Sequence, residues 1–151
     1  MAAAAAPPLH SVFVYGTLLA DEVVRVLLKR VPPSSPAILH NYHRFSIKGR
    51  VYPAILPVDC KKVAGEVLLG ITDQELDILD SFEDVEYERR AVEVSLVDNS
   101  EKLIVGAYIW VNKDDPNLYG EWDFEEWKRL HLEDYLVMTT EFMEEMEKPQ
   151  D

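Results

Sequence analysis

Residues 11–30, SVFVYGTLLADEVVRVLLKR, carry the strongest local pattern in this 151-residue chain. Ser11 to Tyr15 is a β-branched and aromatic run stopped by Gly16, the pattern of a buried strand entering a turn. Asp21 stands where an N-cap belongs, and Val23, Val24, Leu27 and Leu28 then form an apolar stripe at helical spacing. Strand, tight turn and helix follow in that order. The helix is expected to end by Val31, because Pro32, Pro33 and Pro36 and the two serines among them do not continue it.

Outward from this unit, Ala37 to Ile47 reads as a second strand, interrupted by the polar run Asn41 to Arg44. Lys62 to Leu69 reads as a third, with Tyr52-Pro53-Ala54 in the loop between them. From Tyr87 to Val97 the signal is cleaner, since Val92, Val94 and Leu96 alternate with Ala91, Glu93 and Ser95. Asp98 to Glu101 is a turn, and Leu103 to Val111 returns as the partner of an antiparallel hairpin. Asp123-x-x-Glu126 resembles a capping box before a long helix reaching about Glu147, with Trp127, Leu130, Tyr135, Met138 and Phe142 available for packing. Helices do not alternate regularly with the roughly five strands. The expected class is therefore α+β: a small mixed, mainly antiparallel β-barrel with flanking helices and a long C-terminal helix. A disordered N-terminus over 1–10, one domain over 11–120 and a helical extension over 121–151 complete the expected organisation.

Composition narrows the function classes. Hydrophobic residues make up 48% of the chain, enough for one good core at this length. Acidic residues number 28 against 15 basic ones, for a net charge of -13, which argues against nucleic acid or an anionic membrane as partner. The solitary Cys60 forms no internal disulfide; it is expected to be a packed core thiol in a reducing compartment. The alanine run Met1 to Pro8 lacks the basic residues of a secretory or transit segment, and nothing later offers the roughly 18 apolar residues of a membrane helix. A cytoplasmic location is expected. His40 and His43 sit three apart in a strand, hence on opposite faces, and no cysteine or acidic pair completes a metal set. Gly-x-Ser-x-Gly, Gly-x-Gly-x-x-Gly and Gly-x-x-x-x-Gly-Lys motifs are absent, so neither metal nor cofactor is expected. Trp122, Trp127, Met138, Met143 and Met146 read as core or dimer surface.

Two places offer chemistry. After the opening strand, the backbone N–H groups that follow Gly16 lie just before a helix N-terminus, an arrangement that favours a carboxylate or an oxyanion. Such a glycine is also common as a plain connector. In the second place, Thr72 and Glu75 form a capping box, and Leu76, Ile78, Leu79 and Phe82 define an apolar helix face. Glu83 lies four residues after Leu79 and seven after Leu76, which projects it to the edge of that face. Asp73, Asp77, Asp80 and Asp84 fall on the polar side. A carboxylate held at an apolar margin loses hydration, its pKa rises, and it exchanges protons near neutral pH. The alternatives stand beside this: Glu83 as a frayed last turn in water, or Glu86 or Glu88 in its place.

Four motifs in order, Val14 to Leu18 (VYGTL), Gly49 to Ala54 (G-x-x-Y-P-A), Gly65 to Val67 (GEV) and Leu76 to Glu83 (L-D-x-x-D-x-F-E), resemble the γ-glutamylcyclotransferase-like superfamily. Within it, the chain is similar to the plant branch of avirulence-induced-gene-2-like proteins, over Val12 to about Val111. The resemblance implies a small α+β barrel whose loop, Tyr15, Gly16, Thr17, Leu18, Leu19 and Ala20, holds a γ-glutamyl group. Glu83 is implied as the proton acceptor in a metal-independent cyclisation that releases an amine and leaves 5-oxoproline. The implied partner is a small-molecule γ-glutamyl compound: glutathione, a free γ-glutamyl amino acid or a γ-glutamyl-lysine isopeptide. Relatives often carry Ser-Asn where this chain has Thr17-Leu18, which bears on that choice. Two other classes stay open: a non-catalytic binding or stress-response interaction module on the same fold, and an acyl-transfer enzyme acting on another amide.

Overall fold

The computed structural model describes residues 9–148. Residues 1–8, most of the expected disordered N-terminus, lie outside them, while His10 already belongs to a strand. Five strands close a barrel: β1 (His10–Val14), β2 (Ser34–Ile47), β3 (Ala54–Ile71), β4 (Tyr87–Leu96) and β5 (Lys102–Trp110). The order around it is β3, β1, β5, β4, β2 and back to β3. Only the β1–β5 pair is parallel, with Val12 opposite Gly106 and Phe13 opposite Ala107. A two-residue strand β6 (Leu118–Tyr119) adds to the far end of β2.

The opening run is apolar from Val12 onward because that part of β1 is buried on both faces. Phe13 packs inside the barrel with Leu39, Val63, Val94 and Ala107, whereas Val12 and Val14 meet the helices outside. Those helices are α1 (Asp21–Leu28), α2 (Asp73–Glu83) and α3 (Phe124–Glu147). Val23, Val24, Leu27 and Leu28 bury the apolar stripe of α1. Its N-cap is Ala20 rather than Asp21, and no side chain caps it; Asp21 instead begins the first turn, where its charge suits the helix dipole. On α2, Thr72 and Glu75 make the full reciprocal capping box.

Two further expectations fail for identifiable reasons. β3 begins at Ala54, eight residues before the sequence pattern suggests, because β2 and β3 run on beyond the barrel as a paired ribbon. Their register slips by three between His40↔Lys62 and Tyr42↔Pro57. That slip scrambles the period-two pattern over Pro57 to Lys61. Cys60 sits in the slip at φ +66, its N–H donating to the Asn41 side chain, and is exposed rather than a core thiol.

On α3, Trp127, Tyr135, Thr139 and Met143 are buried, Leu130 is 51% exposed and Met146 is exposed as well. The helix shares one core with α1 and the outer face of β1, so it is part of the fold rather than an appendage. No described helix is long and apolar enough to cross a membrane.

Candidate functional site

The end of β1, the end of α2 and the middle of α3 converge on one cavity of about 240 Å³. Tyr15, Gly16, Thr17 and Leu18 form one wall and Glu83 faces the same space. Leu19 and Ala20 do not line it. Leu19 turns toward the helical core, and buried Ala20 uses its carbonyl to accept from the Val23 and Val24 N–H groups at the head of α1.

Local packing explains the loop. The Tyr15 side chain points into the protein, where its hydroxyl donates to the Tyr108 carbonyl at 2.6 Å. Gly16 is required by its neighbour: a Cβ there would lie 2.8 Å from Cγ and 2.9 Å from Cδ of Pro53. Thr17 to Leu19 then make a single 3-10 turn, in which the Leu19 N–H donates to the Gly16 carbonyl and the Ala20 N–H to the Thr17 carbonyl. The N–H groups of Gly16, Thr17 and Leu18 have no acceptor among the described residues. Three successive free donors beside a cavity suit an anionic oxygen.

Glu83 is the last residue of α2. Its side chain is partly accessible through the cavity, yet the surrounding protein strips most of its hydration. That loss, with the Asp80 charge second, raises its pKa to about 8. Among the described residues nothing donates a hydrogen bond to its carboxylate, so no donor opposes the rise. Asp80 is not the plain polar-side residue expected from the helical wheel. It accepts from the Tyr108 hydroxyl at 2.7 Å and from Arg89 at 2.9 and 3.1 Å. Burial alone would raise the Asp80 pKa; the Arg89 and Tyr108 bonds outweigh it and hold the group below the usual carboxylate range.

Geometry also ranks the neighbouring glutamates. Glu86 lines the cavity but is gripped by Arg50 at 2.8 and 3.0 Å, and exposed Glu88 pairs with Arg90. Glu83 alone of the three faces the cavity without a cation on it.

The remaining walls are mostly aromatic, and sequence spacing marks Phe82, Tyr135 and Phe142 among them only as packing positions. Tyr52, Tyr87 and Tyr108 come from the barrel side, and Phe82 with Tyr135 and Phe142 closes the helical side. Burial lifts the pKa of Tyr15, Tyr87, Tyr108 and Tyr135, so all four remain neutral hydroxyls near pH 7. The Thr17 hydroxyl lies 3.3 Å from that of Tyr135, which ties the loop directly to α3. The C-terminal helix, along which sequence pattern marks no chemistry, therefore supplies part of the cavity wall. His43, by contrast, is engaged with the Gly120 carbonyl at 2.8 Å. No group of three or more His, Cys, Asp or Glu side chains suited to a metal occurs among the described residues.

The family model described as "Gamma-glutamyl cyclotransferase, AIG2-like" matches residues 12–129. The chain belongs to this family. AIG2-like protein D of Arabidopsis thaliana is 63% identical over 142 residues, 93% of each chain. A solution structure of an Arabidopsis thaliana protein, 47% identical, superposes with a TM-score of 0.72 over 94% of this chain and 95% of that one. A solved gamma-glutamyl cyclotransferase shares the fold at a TM-score of 0.61, with 17% identity over 70% of this chain and 68% of its own.

The AIG2-like motifs acquire physical roles on this scaffold. Gly49, at φ +80, turns the chain between β2 and β3. Pro53 packs on Gly16, and its carbonyl accepts from the Tyr87 hydroxyl at 2.6 Å. Gly65 lets β3 approach β1 so closely that a Cβ there would fall 2.2 Å from the Val14 carbonyl oxygen. Leu76 and Leu79 anchor α2 so that Phe82 and Glu83 reach the cavity.

Proposed function

We propose that the protein is a γ-glutamylcyclotransferase that cyclises a γ-glutamyl amine or peptide to 5-oxoproline and releases the amine. One observation carries this reading: a carboxylate with a pKa near 8 and three free N–H donors line the same cavity. At about 240 Å³ the cavity lies below the roughly 300–1,000 Å³ of sites for drug-sized ligands, and suits a small metabolite.

In the reaction the α-ammonium of the substrate gives a proton to ionised Glu83. The freed amine attacks the γ-carbonyl carbon of the same molecule and forms the ring C–N bond. Negative charge develops on the carbonyl oxygen, where the loop N–H groups stabilise it. The bond to the departing nitrogen then breaks as that nitrogen takes the proton back from Glu83; the ring nitrogen gives its second proton to the regenerated carboxylate, and the released amine takes it up as an ammonium. Atoms balance without water, and the step needs no covalent intermediate and no metal. Both reacting groups are in one molecule, so correct folding of the substrate supplies effective molarities of about 10⁵ M or more. The aromatic walls favour such folding by excluding water.

A non-catalytic module on the same fold calls for a Glu83 turned to solvent, away from the loop; its position in the cavity supports the enzyme instead. The test is a screen of γ-glutamyl amino acids, glutathione and γ-glutamyl-lysine with 5-oxoproline detected by mass spectrometry. Glu83→Gln is expected to fold and to release none. Equal turnover by that variant would refute the assignment.

A further inference from the structure

Arg44 on β2 does not line the cavity, yet it is the cation most intimately built into the loop. Its Nη1 donates to the Tyr15 carbonyl at 2.7 Å and reaches the Ala64 carbonyl at 3.3 Å. The guanidinium lies over the Trp122 ring, 5.5 Å from the centroid. Trp122 is itself pinned, its backbone N–H on the Arg44 carbonyl and its indole N–H on the Val51 carbonyl. The Arg44 Nε is buried with no acceptor among the described residues.

This placement is expensive for stability alone. A partly buried guanidinium with a stranded N–H and no ion pair among the described residues loses hydration without full compensation. The other two arginines near the cavity are each neutralised, Arg50 by Glu86 and Arg89 by Asp80. Arg44 therefore brings positive charge to the loop backbone with no carboxylate bonded to it, the charges of Glu121 and Asp123 acting on it from further away.

The carbonyl that Arg44 holds belongs to the same peptide unit as the Gly16 N–H. That unit is trans, so the N–H points away from the guanidinium. A cation on the oxygen of an amide withdraws electron density from its nitrogen and strengthens the N–H as a donor. We infer that Arg44 is a positioning residue for the anion-binding half of the site: it fixes the Tyr15–Gly16 peptide and polarises the Gly16 N–H toward a substrate oxygen. This deepens the cyclotransferase reading and rests on it for the identity of that oxygen.

Arg44→Lys keeps a charge that can still donate to Tyr15, and Arg44→Gln keeps a donor without the charge. Each variant is checked for folding by circular dichroism. Titration with 5-oxoproline as the anionic probe, followed by amide proton–nitrogen NMR, is expected to show wild type tightest, Lys intermediate and Gln weaker by about tenfold or more. The Gly16 amide proton should move upfield in the free Gln variant, an effect that a purely structural role would not produce. A folded Gln variant with wild-type affinity and an unmoved Gly16 signal overturns the inference, as does a wild type that binds no 5-oxoproline. A wild type that binds it but turns over no γ-glutamyl compound sinks the cyclotransferase reading alone, and the variant series still decides the role of Arg44.

Discussion

Glu83 should make this protein less stable as pH rises, and the size of the effect follows from its surroundings. In the unfolded chain its pKa is ordinary, near 4.5, whereas in the fold it is about 8. Between those values the folded state holds a proton that the unfolded state has lost. Unfolding therefore releases a proton in this window, and the stabilising contribution present at low pH is lost as pH climbs. Integrated from pH 5 to pH 9, the loss is about 4 kcal/mol, of which about 2.5 kcal/mol is gone by pH 7. Glu83→Gln removes this titration while keeping size and shape. Urea unfolding of both proteins at pH 5, 7 and 9 isolates the effect, because every other carboxylate of this acidic chain cancels in the comparison. Stability of the variant relative to wild type should rise by about that 4 kcal/mol across the series. A gap that stays constant within about 1 kcal/mol, or that moves the other way, would mean that Glu83 is hydrated like a surface carboxylate. The desolvation account of its basicity would then be wrong.

Three further outcomes follow from the same geometry. Asp80→Asn removes the negative charge that supports the high Glu83 pKa, so the rise of kcat/KM with pH should shift acidward by roughly one pH unit; burial keeps it above an ordinary carboxylate, and an unmoved profile would contradict the coupling. Gly16→Ala forces a methyl onto the Pro53 ring, which has little room to yield with its carbonyl tied to Tyr87. Thermal unfolding should register a loss of about 1–3 kcal/mol and turnover should fall further than stability, whereas wild-type turnover would show that the loop tolerates displacement. Phe142→Ala opens the α3 wall beside Phe82, whose ring centroid is 5.2 Å away, and admits water toward Glu83. A raised KM together with an acidward shift of the same pH limb is expected, and neither would change if α3 were only a brace.

Local rules brought the two halves of the cavity forward as candidates, and the family resemblance chose Glu83 over Glu86 and Glu88 and the loop over a plain connector. A capping box sets where α2 begins, and Leu76 and Leu79 then set its phase, which places Glu83 without any knowledge of the barrel. The loop announces itself by a β-branched run ending in glycine. What lay hidden depends on distant partners. The phase of α2 puts Asp80 on the polar side, and nothing in that helix reveals Arg89 and Tyr108, delivered by two strands of a later hairpin. The true start of β3 is masked by a three-residue register slip, since an exposed ribbon imposes no period-two burial on Pro57 to Lys61. Gly16 shows the difference most clearly. Its sequence context suggests only a turn; what also excludes a side chain is Pro53, 37 residues away, arriving on the connection between β2 and β3. The local chain thus sets the direction of each functional group, and closure of the barrel sets what each group meets. For Glu83 the second part decides the titration: the same helix end in water would carry an ordinary carboxylate, and the walls brought by β1, β5 and α3 raise its pKa to about 8, as the proposed role of base requires.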